Sequence, residues 1–99
     1  MKKDYENIRL ALSKELPKIK SSFNVSELDV FGSYVRNEQK DDSDLDILVT
    51  FSKVPDLFQF IELENHLSDL LGLKVDLVMR SALKPNIGKR ILSEAKPVL

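Results

Sequence analysis

Asp44-Leu45-Asp46 runs straight into the apolar stretch Ile47-Leu48-Val49, and that placement decides what its two carboxylates can do. In a strand, residues two apart share a face. Asp44, Asp46, Leu48 and Thr50 then fall on one side, and Leu45, Ile47, Val49 and Phe51 on the other. The two aspartates stand about 7 Å apart at Cα. Carboxylates converging from that spacing could ligate one hard cation, or bridge two about 3.5–4 Å apart. A third acid belongs with them. Asp76 interrupts the apolar run Val75-Asp76-Leu77-Val78, where an unpaired buried carboxylate would be costly. If this strand lies beside the Asp44–Asp46 strand, Asp76 joins the same sheet face. Three such carboxylates repel one another unless a divalent cation draws them together. Donors that are all oxygen favour Mg²⁺ or Mn²⁺, whereas Zn²⁺ recruits His or Cys.

Gly32-Ser33 follows another apolar run, Leu28-Asp29-Val30-Phe31. Glycine lets a backbone approach a ligand closely, and a serine opening a helical turn offers a hydroxyl and N–H groups to phosphate oxygens. Arg36, one turn on, either adds charge-assisted contacts to phosphates or pairs with an acid of the following loop. No Walker A sequence and no GxGxxG occurs, so neither a P-loop nor a dinucleotide fold is suggested. Each feature alone has a bland reading. DDSDLD can be a solvated acidic turn, with Asp41 and Asp42 serving solubility. His66 falls on the polar side of its helix, and Tyr5 and Tyr34 read as packing residues.

The elements that must position these groups follow from periodicity. Tyr5, Ile8, Leu12 and Leu16 have helical spacing. Pro17 is expected to end or kink that helix near Leu16, with a short second turn over residues 17–23. Residues 27–31 read as the first strand, 34–36 as the start of a short helix, 37–43 as a polar loop and 44–51 as the second strand. Residues 56–71 form a strong helix with Leu57, Phe60, Ile61, Leu63, Leu67, Leu70 and Leu71 as its apolar face, stopped by Gly72. Residues 73–79 make the third strand. Residues 85–95 make a last helix with Ile87, Ile91 and Leu92 buried, followed by Pro97 and a possible edge strand at Val98-Leu99. The order α-β-α-β-α-β-α predicts an α/β fold of α+β type, a small sheet packed with helices. The short link between the first two strands leaves no room for a crossover helix, so a mixed sheet is expected.

Ninety-nine residues at 42% hydrophobic and 31% charged fit one globular domain, 1–99. The net charge of −1 is unevenly spread: +3 over residues 1–22, −8 over 23–79 and +4 over 80–99. An acidic middle suits metal cations and argues against direct nucleic-acid binding there. No cysteine is present, which excludes thiolate metal sites and a catalytic Cys. The charged start MKKDYENIRL lacks the apolar core of a signal peptide, and no apolar run approaches the ~20 residues of a membrane helix. A cytoplasmic protein without membrane contact is the expectation.

The combination resembles the minimal nucleotidyltransferases of the DNA polymerase beta-like superfamily. Their pattern is Gly-Ser, ten residues, Asp-x-Asp and a later third Asp. Here Gly32-Ser33 is followed by the ten residues 34–43, then Asp44-Leu45-Asp46, and later Asp76 within KVDLV. FGSYVR, SDLDILVTF, LKP and ILSEA resemble the family's flanking sequence too, so the likeness covers nearly the whole chain. Asn37 stands where many relatives have glycine, and Asn tolerates left-handed backbone. The resemblance implies a polymerase beta-like fold and transfer of a nucleoside monophosphate with release of pyrophosphate. It assigns Asp44, Asp46 and Asp76 to Mg²⁺ (or Mn²⁺) and catalysis, and Gly32, Ser33 and Arg36 to the nucleotide phosphates. It further implies ATP as substrate and a HEPN-domain RNase toxin as partner, neutralised by AMP placed on a tyrosine. The small chain leaves no separate acceptor module, which fits either a small acceptor or a protein that docks on an exposed face. Two other readings stay open: neutralisation by binding alone, and transfer to a small molecule.

Overall fold

The computed structural model describes residues 3–98. Helix α1 spans Tyr5–Phe23, capped by Asp4, whose carboxylate accepts the Asn7 N–H at 2.9 Å. Pro17 does not end it. An interior proline costs about 3 kcal/mol, but the buried stripe Ile8, Leu12, Leu16 and Ile19 continues through it. Burying Leu16 and Ile19, on either side, gains about 1.5–3 kcal/mol each, so tertiary packing carries the helix past the break. Asn24, in left-handed conformation, turns the chain into β1.

Strand β1 is Val25–Phe31, α2 is Ser33–Arg36 and β2 is Leu45–Phe51. Helix α3, Leu57–Leu71, starts at a reciprocal Asp56–Gln59 capping box and ends at Gly72. Strand β3 is Val75–Met79, followed by a 3₁₀ turn at Arg80–Ala82, α4 at Pro85–Glu94 and a short β4 at Lys96–Pro97. The expected order holds with β4 added. That edge strand starts two residues earlier than expected, and Leu99 lies outside the described residues.

The sheet is mixed, in the order β3-β2-β1-β4. β1 runs antiparallel to β2 and β4, while β2 and β3 are parallel, joined through α3. One face carries Leu28, Val30, Leu45, Ile47, Val49, Val75 and Leu77, and α1 and α3 cover it with Ile8, Leu12, Leu16, Leu63, Leu67 and Leu71. On edge strand β3, the amides of Val75 and Leu77 donate to Ser68 Oγ at 3.0 Å and Glu64 Oε2 at 2.9 Å. Those side chains of α3 close an edge that would otherwise invite another strand.

Two apolar faces differ from expectation. On α3, Leu63, Leu67 and Leu71 make the buried line, whereas Leu57 and Ile61 are exposed because their helical angle lies outside it. On α4, Ile87 and Leu92 are exposed, and the residue that packs inward is Gly88, against Leu83. His66 is half-buried, its ring 5.5 Å from that of Phe23. Among the described residues no helix is long and apolar enough to cross a membrane.

Candidate active site

The uncovered sheet face gathers the predicted acids. Register pairs Phe31 with Asp46 across β1–β2 and Asp46 with Asp76 across β2–β3. Residues paired across adjacent strands project to the same face, so Asp46 and Asp76 are neighbours. Asp44 sits just before β2, its Oδ2 3.9 Å from Lys74 Nζ. The Asp46 carboxyl is pushed up to about 6, chiefly by burial, then by the charges of Asp76 and Asp44, with Arg36 opposing. Among the described residues no three acidic side chains stand in ready-made coordinating geometry. Mg²⁺ needs none, since it is commonly held by one or two carboxylates with substrate phosphates and waters. A half-buried carboxylate crowded by two others, with only oxygen donors around it, fits such an ion.

Phe31 delivers the chain to Gly32 beside Asp46. Gly32 has φ 82°, and a Cβ there would collide with Asp46 Oδ2. Only glycine brings the turn this close to the acid. Ser33, the first residue of α2, is half-buried. Tyr34 is buried, as a packing residue should be. Asn37 ends α2 with φ 58°, the left-handed geometry anticipated for it.

Arg36 pairs with a loop acid, one of the two roles expected of it. Its Nη1 lies 2.9 Å from Glu94 Oε2 and its Nε 3.3 Å from Glu38 Oε1. The loop acid Glu38 was foreseeable; Glu94, at the end of α4, was not. Glu94 Oε1 also accepts the Gly32 N–H at 2.8 Å. Burial alone would raise this carboxyl, but Arg36 and the Gly32 amide outweigh it and hold it below the usual range. Its only sequence signal was its place in ILSEA. A second unforeseen pair lies on the same sheet face. Asp29, 7% exposed, accepts from Arg80 Nη2 at 2.7 Å. Burial raises its pKa and Arg80 pulls the other way.

Comparison with known proteins settles the family. The nucleotidyltransferase domain model matches residues 11–98. The chain belongs to that family. This nucleotidyltransferase is 55% identical over 91 residues to the protein adenylyltransferase MntA of Thermococcus cleftensis, covering 92% of this chain and 89% of the relative. A solved structure assigned as a minimal nucleotidyltransferase matches with TM-score 0.80 and 35% identity over 95% of both chains. A chain in the complex of a tri-AMPylated Shewanella oneidensis HEPN toxin with its MNT antitoxin matches at TM-score 0.67 and 22% identity. The match covers 93% of this chain and 71% of that one. At that identity it shows the fold alone.

Proposed function

We propose that this nucleotidyltransferase moves AMP from ATP onto a tyrosine of a HEPN RNase toxin and acts as that toxin's antitoxin. The observation that carries the reading is the register of Asp46 with Asp76, next to the Gly32 turn. Support comes from the high identity to a protein adenylyltransferase. The exposed Leu57, Phe58, Ile61, Ile87 and Leu92 suit docking of a protein acceptor. A HEPN toxin as that acceptor follows the naming of the Shewanella complex.

In this reaction the phenolic oxygen attacks the α-phosphorus and a new O–P bond forms. The bond from that phosphorus to the bridging oxygen breaks, and pyrophosphate leaves with its electron pair. Ser33 holds the triphosphate tail. Asp44 and Asp46 would hold Mg²⁺ with the nucleotide, and Asp46 and Asp76 would hold a second ion. Bound there, the metal supplies neutralisation of the charge that builds on attacking and leaving oxygens. A phenol has a pKa near 10 and is protonated at neutral pH, so its proton must go to a nearby base. Asp76, exposed at the site, is the group assigned to accept it and pass it to solvent. A transferred adenylate adds bulk and negative charge, which obstructs RNA.

The competing reading is neutralisation by occlusion alone. Co-expression in cells separates the two. Asp44→Asn, Asp46→Asn and Asp76→Asn nearly preserve shape, so each should still co-purify with the toxin yet fail to rescue growth. Rescue equal to wild type would establish occlusion and end the catalytic reading.

A further inference from the structure

The β1–β4 ladder pairs Asp29 with Pro97 and Val30 with Lys96, and the Val98 N–H donates to the Leu28 carbonyl at 3.0 Å. Bonded positions in an antiparallel ladder recur every second residue. From Leu28–Val98 the series runs to Val30–Lys96, and the position after that would set Gly32 opposite residue 94. The main chain does not supply that bond, because it has already turned into α4, where the Ala95 N–H caps back to the Ile91 carbonyl. The Glu94 side chain takes it instead, its Oε1 accepting the Gly32 N–H at 2.8 Å. The same carboxylate then accepts Arg36 Nη1 at 3.1 and 2.9 Å through its two oxygens. Within the turn, the Arg36 N–H donates to the Gly32 carbonyl at 3.3 Å. Glu94 therefore clasps the first and last residues of the Gly-Ser turn at once.

We infer that Glu94 is a positioning residue for nucleotide binding, holding the Gly32–Arg36 turn in register with Asp46 so that Ser33 meets the phosphates at a set distance from the carboxylates. The inference rests on the proposed nucleotidyl transfer and adds a residue to it. Two facts give the clasp its leverage. A Cβ on Gly32 would collide with Asp46 Oδ2, so the turn lies beside that carboxylate and a slide of it moves the Ser33 amide and hydroxyl relative to Asp46. Arg36, more exposed than Glu94, points where it does because two acids hold it. The C-terminal helix, whose own apolar residues Ile87 and Leu92 face outward, thus reaches the site through one side chain.

The experiment measures affinity for an ATP analogue with a non-cleavable α,β bridge, with Mg²⁺, in wild type, Glu94→Ala and Glu94→Gln. Exchange of the Gly32 amide is followed in the same three proteins. Glutamine keeps an acceptor for Gly32 but turns an amide N–H₂ toward Arg36. The Ala variant should lose Gly32 protection and bind about ten-fold more weakly, the scale of one lost charge-assisted hydrogen bond. The Gln variant should keep the protection and fall between the two. In turnover, the Ala variant should raise KM for ATP by a similar factor and change kcat less. Affinity unchanged or increased in Glu94→Ala would mean that the carboxylate stands aside from, or competes with, the phosphates, and the inference is overturned. A wild type that binds the analogue but transfers nothing would sink the proposed function alone, leaving this measurement to decide on Glu94.

Discussion

Replacing Asp46 with Asn should make the metal-free protein more stable while it destroys the activity. In the folded state the carboxyl is pushed from 3.8 to about 6 by burial and by Asp76 and Asp44. A carboxyl whose folded pKa lies above its unfolded one favours folding when protonated. That contribution is complete below about pH 4 and is lost as pH rises through about 6. At full weight the rise corresponds to about 3 kcal/mol. Asp46 is only half-buried, and solvent screening reduces this to roughly 1–2 kcal/mol at neutral pH. Asparagine carries no charge to penalise, so Asp46→Asn should melt about 4–16 °C above wild type at pH 7.5 in EDTA, given about 4–8 °C per kcal/mol for a domain of this size. The advantage should shrink toward zero at pH 4. Mg²⁺ with ATP should reverse the ranking, because a ligand of the folded state stabilises by mass action and the variant has lost a ligand to it. Thermal melts at the two pH values, with and without Mg²⁺–ATP, read all of this. An Asn variant that melts below wild type at pH 7.5 in EDTA would refute the crowding of charges at Asp46.

Gly32→Ala puts a Cβ into Asp46 Oδ2 at a positive φ. It should cost about 1–3 kcal/mol by denaturant titration and lower transfer more than stability. Arg80→Ala leaves the buried Asp29 carboxylate without its partner. It should destabilise by about 2–4 kcal/mol, discounted for the exposed guanidinium, and Asp29→Asn in the same chain should restore much of that. Pro17→Ala should stabilise by roughly 1–3 kcal/mol, since the surrounding helix already has the shape that alanine prefers. A neutral or destabilising outcome would mean that α1 depends on the break.

The strands that carry the acids were legible because period-two alternation and the Asp-x-Asp step point the same way. Asp76 needed only that β3 lie beside β2, which the helical crossover between them dictates. Pro17 misled because local backbone chemistry was weighed without Ile19, whose burial outweighs it. The outward faces of α3 and α4 misled for the opposite reason. Leu57, Ile61, Ile87 and Leu92 satisfy helical periodicity, but α3 buries only the line through Leu63 and α4 packs through Gly88. Glu94 and Arg80 were illegible because each meets its partner across a large sequence separation, with Gly32 and Asp29 respectively. Neither a period nor a short motif encodes such a meeting.

Intact mass of a HEPN toxin bearing the acceptor tyrosine, incubated with this protein, ATP and Mg²⁺, tests the account most directly. Wild type should add one or more AMP units and release pyrophosphate in equal number. Asp46→Asn and Asp76→Asn, folded and still bound to the toxin, should add none. A toxin whose mass stays unchanged with wild type, or shifts equally with either variant, would contradict the account.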